Sequence, residues 1–256
     1  MRTRELLIRI ALLLPLFIGV GCGKSDSEPR KGQTNAVFNP DKTYGVMTDI
    51  DGNEYRTIQI GNQVWMAQNL RSKHFRNGDP IVAHPDGDWY AIEEPAYCAV
   101  NNCKHIDSIA TFGLLYNGHV VADARQVAPK GWRIPTKEDV FDLISHLNTD
   151  EGITYDWGNT IVGGMLREAG SLHWQPSNDG ADNSSGLSLL PTGIRQSEMF
   201  LGTNKMTTLY TSSLFDEKNE NSRGFLTYRT YALSLQISIN STPPITSGCS
   251  IRCIKE

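Results

Sequence analysis

The first 22 residues constrain this chain most, because they stand apart from the fold and set the compartment in which the rest must fold. Arg2, Arg4 and Arg9 make a basic start, and Leu6 to Val20 is an apolar run interrupted only by Arg9, Pro15 and Gly19. Gly19-Val20-Gly21 then sets small residues directly before Cys22. Basic, apolar, small and then cysteine is the order of an export signal. The apolar run is too short for a comfortable membrane-spanning helix. A cysteine at the cleavage point predicts a bacterial lipoprotein, with a signal peptide over 1–21, a lipid on Cys22 and contact with the membrane through that anchor. No Asp directly follows Cys22, and Ser25-Asp26-Ser27-Glu28 resembles a surface-export patch, with a solvated acidic linker as the alternative reading. The expected location is the outer membrane or cell surface of a Gram-negative bacterium.

An exported chain folds where disulfides are permitted. Setting Cys22 aside leaves Cys98, Cys103, Cys249 and Cys253. Cys249 and Cys253 read as one strand, and four strand steps span roughly 13 Å, whereas bridged Cα atoms sit about 4.4–6.8 Å apart. Any bridge is therefore expected between the Cys98/Cys103 region and the C-terminal strand, or locally from Cys98 to Cys103. Buried free thiols are the alternative. Loss of residues 1–21 removes Arg2, Arg4, Arg9 and Glu5, and moves the formal charge from −4 to −6. So acidic a chain gains little from a polyanion's counterions, which argues against nucleic acid as a partner.

Residues 22–44 carry Pro29, Gly32, Asn35 and Pro40 and few large apolar side chains, and read as a flexible tether; the domain is expected from 45 to 256. Val46–Ile50 and Tyr55–Ile60 flank the hairpin signal Asp51-Gly52-Asn53. Gly61-Asn62 turns the chain into Gln63–Met66. The Asp49–Asn53 run is no EF-hand, since glycine stands fourth where that loop needs it sixth. Residues 73–127 lack periodicity and read as long loops. A helix is expected from Thr136, with Asp139 three residues on as a short capping box and Val140, Ile144 and Leu147 on one face. A weaker helix covers about 160–169, with Gly170 as its stop. Leu187–Leu190 and Leu209–Ser213 read as short strands. Residues 230–239 alternate apolar and polar as a half-buried strand, and Ser250–Ile254 is expected to close the sheet and lock the C-terminus into the domain.

Three groups of motifs occur in order. Asp49-Ile50-Asp51-Gly52-Asn53-Glu54-Tyr55 leads to Ile60-Gly61-Asn62-Gln63-Val64-Trp65-Met66-Ala67-Gln68-Asn69-Leu70. Gly113-Leu114-Leu115-Tyr116-Asn117 precedes Ala128-Pro129-Lys130-Gly131-Trp132-Arg133-Ile134-Pro135-Thr136. Gly186-Leu187-Ser188-Leu189-Leu190-Pro191-Thr192-Gly193-Ile194-Arg195 precedes Ser250-Ile251-Arg252-Cys253-Ile254. This arrangement resembles the Fibrobacter succinogenes major paralogous domain over residues 46–256. The resemblance implies an α+β, C-type-lectin-like fold in the variant of formylglycine-generating enzymes, with short twisted antiparallel sheets, two helices and long irregular loops. It implies no settled activity. Ala128 stands where that family often has Cys. Trp65, Trp132 and Pro135 are expected to pack the junction of sheet and helix, and Gly131 and Gly193 to hold special turns.

The six histidines show no zinc-hydrolase spacing, and no nucleophile elbow is present. The best binding candidate is the loop 173–185, where Trp174 adjoins Asn178, Asp179, Asp182 and Asn183. Such oxygen ligands suit Ca2+, and an aromatic face with amides and carboxylates suits a glycan. Trp89 and Tyr90 form a second candidate. The expected role is an adhesin-like binding module for glycan or protein. The alternatives are an enzyme, either related to formylglycine-generating oxidases or a metal-dependent oxidase, for which copper-dependent oxygen uptake lost in Cys249→Ser or Cys253→Ser would speak, and a structural component of a surface assembly.

Overall fold

The computed structural model describes residues 32–148, 162–175, 178–214, 225–231, 237–241 and 243–256. The signal segment and Cys22 lie outside them. In chain order the strands begin with β1 (Gly45–Thr48), β2 (Glu54–Ile60), β3 (Gln63–Met66), β4 (Val82–Ala83), β5 (Ala96–Ala99), β6 (Leu114–Tyr116) and β7 (Trp132–Arg133). They continue with β8 (Ile194–Gln196), β9 (Met199–Leu201), β10 (Met206–Leu214), β11 (Phe225–Tyr231), β12 (Ile237–Ser241) and β13 (Ile254–Lys255). Among the described residues four α-helices accompany them: α1 (Ile106–Phe112), α2 (Gly118–Ala122), α3 (Lys137–Leu147) and α4 (Val162–Leu166). The class is α+β, with two more helices than expected.

The main sheet has the order β1-β2-β3-β13-β7, and its two faces follow from the period of two along each strand. Tyr55 and Met66 point into one core, with Phe75, Tyr116, Tyr210 and Cys253. Ile58, Ile60 and Trp65 point into the other, with Val140, Leu143 and Ile144 of α3 and Val162 and Leu166 of α4. Ile58 lies opposite Trp65, and Trp65 opposite Ile254, so the terminal strand continues the same face. The C-terminus is locked inside the sheet as expected, although the strand proper is only β13. Smaller sheets are β10-β11-β12, β4-β5-β6 and β8-β9. β4 and β5 run parallel, a departure from the antiparallel expectation.

Helix α3 begins as its sequence dictates. The Thr136 hydroxyl accepts from the Asp139 N–H, and the Asp139 carboxylate accepts from the Thr136 N–H at 2.7 Å, a reciprocal capping box. Gly131 and Gly193 take φ of +79° and +69°, a region costly for any residue with a Cβ. At Gly193 a Cβ would also come within 2.4 Å of the Leu201 carbonyl oxygen.

Several expectations change. Residues 32–44, expected as a flexible tether, lie along the domain. The backbone N–H groups of Gln33, Asn35 and Val37 donate to Asp107, Thr111 and Glu168, while Phe38 and Tyr44 pack on the Trp65 core. Side chains tens of residues away supply these bonds, so composition alone could not show the docking. Leu187–Leu190 makes a single bridge, Leu189 to Arg167, and no strand. The 230–239 span holds the end of β11 and the start of β12, which pair antiparallel with Thr230 opposite Ile237; residues 232–236 lie outside those described. Among the described residues no disulfide joins Cys98, Cys103, Cys249 or Cys253. Cys98 sits in a separate core with Trp89 and Leu115, whereas Cys249 and Cys253 sit beside Tyr116.

Candidate functional site

The Asp49–Asn53 turn contributes to the lining of an open cleft of about 280 Å³. Thr48, Asp49 and Ile50 form one wall, Ser72 and Arg76 the second, and Val127, Pro129 and Lys130 the third. Asp49 is buried and fully engaged. Its Oδ1 accepts from the N–H groups of Asp51 and Asn53 at 3.0 and 2.9 Å. Its Oδ2 accepts from Asn53 Nδ2 at 2.9 Å and the Tyr55 hydroxyl at 2.6 Å. Burial, and then the Asp49 charge, push the Tyr55 phenol well above its ordinary range, so it stays a donor.

Asp51 reaches the other way. It accepts from the Lys73 N–H at 2.5 Å and the Ser72 hydroxyl at 3.1 Å, and it holds His74 through Nδ1. Burial pushes the Asp51 carboxyl up, but the bonds from Lys73, His74 and Ser72 outweigh it and leave the group below the usual carboxylate range. The Ser72 hydroxyl faces Asp51 and the His74 carbonyl, not the imidazole. The Ser72-Asp51-His74 set is therefore wired as a turn brace rather than as a nucleophile and its base.

Arg76 is held just as firmly. Nε donates to the Ala128 carbonyl at 3.0 Å, and Nη2 to those of Pro129 and Trp132 at 3.2 and 2.6 Å. Glu256 lies 3.5 Å from Nη2. Nη1 alone makes no hydrogen bond among the described residues, in a side chain that remains 29 % exposed. Arg125 stacks on the Phe75 ring at 4.1 Å and bonds Asp123 and Asp79, which braces the loop beside it.

None of the binding residues singled out from sequence lines this cleft. Trp174 is fully buried, with its indole N–H on the Leu189 carbonyl at 3.1 Å, so it offers no face to a ligand. Asn178 is turned inward, accepting from Arg167 and donating to the carbonyls of Glu168 and Gly170. Asn183 bonds Ser188 through both ends of its amide. Asp179 and Asp182 are exposed, and Asp182 caps the Ser184 N–H. The described residues contain no group of three or more His, Cys, Asp or Glu placed to hold a metal ion. Trp89 is buried beneath Arg195, and Tyr90 is exposed beside it. The buried His173 instead meets Glu168 at 2.7 Å and Asn35 at 3.2 Å, clasping the N-terminal segment. Burial pushes the Cys253 thiol up to about 12, far from the thiolate that cysteine chemistry needs.

Sequence reasoning reached the Asp49 turn, and Lys130 within a longer motif, but it missed Arg76. No local pattern marks an arginine whose partners lie more than fifty residues on. The sequence pattern of the Fibrobacter succinogenes major domain matches residues 58–255 of the chain. No curated protein and no solved structure matches it.

Proposed function

The chain belongs to the Fibrobacter succinogenes major domain family, and from that premise we propose that it is a surface-tethered lipoprotein whose domain binds an external ligand, glycan or protein, in an adhesin-like manner. The observation that carries the reading is the cleft beside the first hairpin. Its walls are fixed by Asp49 and Arg76, each held by several hydrogen bonds, so a ligand meets a preorganised surface and little ordering cost remains to be met on binding. The terminal strand β13, seated between β3 and β7, and the long loops above the sheet support a C-type-lectin-like arrangement. Export and the anchor rest on the sequence of residues 1–22.

The full-length chain, extracted in detergent and applied to a broad glycan array, is expected to retain a restricted set of glycans. Silence across the array from a folded sample, together with no partner cross-linked at the cell surface, would remove the binding reading. Mass spectrometry of the native N-terminus should find an acylated Cys22; an intact Met1 would remove the anchor.

A further inference from the structure

Counting donors and acceptors around the cleft gives it a chemical sense. A carboxylate has about four acceptor positions, and Asp49 has filled four with Asp51, Asn53 (twice) and Tyr55. The Ser72 hydroxyl is engaged by Asp51 and the His74 carbonyl. The Pro129 carbonyl already accepts from Arg76. What remains uncommitted among the charged lining side chains are donors, Arg76 Nη1 and the Lys130 ammonium, while the Thr48 hydroxyl can donate or accept and the Ser72 hydroxyl, which spends its proton on Asp51 and His74, keeps only acceptor capacity. Thr48 and Lys130 are both exposed at the rim. Ile50, Val127 and Pro129 supply apolar wall between them.

A surface whose one lining carboxylate is saturated and whose spare charged groups are both cationic donors selects a ligand rich in acceptors. Resting on the binding role above, we propose that the cleft holds the oxyanion of an acidic sugar unit, its carboxylate or sulfate on Arg76 Nη1 and Lys130 and its ring against Ile50 and Pro129. The volume, near the lower end of small-molecule sites at about 300 Å³, suits one sugar ring. A peptide end is the poorer match. Its backbone N–H groups can only donate, and the lining side chains offer them only the Ser72 and Thr48 hydroxyl oxygens, whereas a sugar hydroxyl can turn and accept. The acidic protein as a whole does not forbid an anion here, because charges more than about 8 Å away are largely screened at physiological salt.

The test uses the full-length chain in detergent, titrated calorimetrically with galacturonic acid, galactose 6-sulfate, galactose and N-acetylalanine. Galacturonic acid or the sulfate should bind at least about tenfold more tightly than galactose, the scale of one hydrogen bond to a charged group, and added salt should weaken it. Lys130→Gln should lose several-fold in affinity with an unchanged melting temperature, because Lys130 is exposed and braces nothing. Thr48→Val should show a smaller loss. Arg76→Lys also releases three carbonyls and serves only alongside the other two. Equal binding of galactose and galacturonic acid, or Lys130→Gln indistinguishable from the parent, would overturn the assignment while leaving an array-positive binding module intact. N-acetylalanine matching galacturonic acid would overturn the sugar in favour of a peptide carboxylate.

Discussion

Replacing Tyr55 with Phe tests the Asp49 hub directly. The ring stays, so the core it fills beside Met66 and Phe75 keeps its packing. Only the hydroxyl is lost, and it makes two bonds: it donates to Asp49 at 2.6 Å and accepts from the Arg71 N–H at 3.0 Å. A hydrogen bond to a charged group is worth about 1.5–3 kcal/mol and a neutral one about 1 kcal/mol. The other three donors keep Asp49 solvated by protein, so no bare buried charge results and the loss should total about 2–4 kcal/mol. For a domain of this size that lowers the melting temperature by roughly 5–15 °C. Urea unfolding followed by far-UV circular dichroism gives the difference, with an unchanged denaturant slope as the sign that the unfolded chain is the same. A loss under about 0.5 kcal/mol, the scatter of ordinary surface substitutions, would show that the phenol does not anchor the turn. The same variant returns one acceptor position to Asp49 and so should narrow the preference for galacturonic acid over galactose.

Burial raises the Asp139 carboxyl, but the bonds from Arg133 and Thr136 prevail and leave it below its ordinary value. Its contribution is therefore complete above the unfolded value of about 3.9 and is lost as pH falls through the folded one; Asp139→Asn should cost about 1 kcal/mol at neutral pH and flatten the acid limb of stability against pH. Burial pushes the Cys98 and Cys253 thiols up to about 12, so both should resist iodoacetamide in the native protein and react after denaturation, as peptide mass spectrometry would show; rapid native labelling of either would contradict the burial. Glu168→Gln weakens the contact to His173 and the acceptor for the Val37 N–H, and leaving a buried polar group short of its partner costs about 1–3 kcal/mol. Hydrogen exchange should then speed up at Val37 with the main sheet still protected, and equal loss in both would mean that the segment is no separate clasp.

The legible parts of this fold are those whose causes lie within a few residues. The Asp49–Asn53 turn, the Gly61 turn and the Thr136 cap are each settled by one or two neighbouring side chains, and each appears where the sequence put it. Period-two alternation is weaker evidence, because it does not mark where one strand ends and the next begins: Tyr231 belongs to β11, and Ile237 and Ile239 belong to β12, its antiparallel neighbour. Aromatic residues in polar loops mislead in another way. Trp174 and Trp89 look like ligand platforms when their neighbours are Asn and Asp, yet each ring is buried and its indole N–H satisfied by a carbonyl, and the polar neighbours of Trp174 are spent on the loop itself. Buried arginines explain why such loops hold their shape. Arg195 donates to the carbonyls of Pro85 and Gly87 and to Asn102, with Trp89 and Phe200 against its plane. Arg252 reaches Asn69 and the carbonyls of Leu187 and Ser188. A chain with this much irregular backbone buries carbonyls that no ladder pairs, and a guanidinium brings five donors in a rigid fork to collect them. Arg76 is the partly exposed instance of the same device, with three of its bonds spent on carbonyls more than fifty residues away, which is why no local motif marks it.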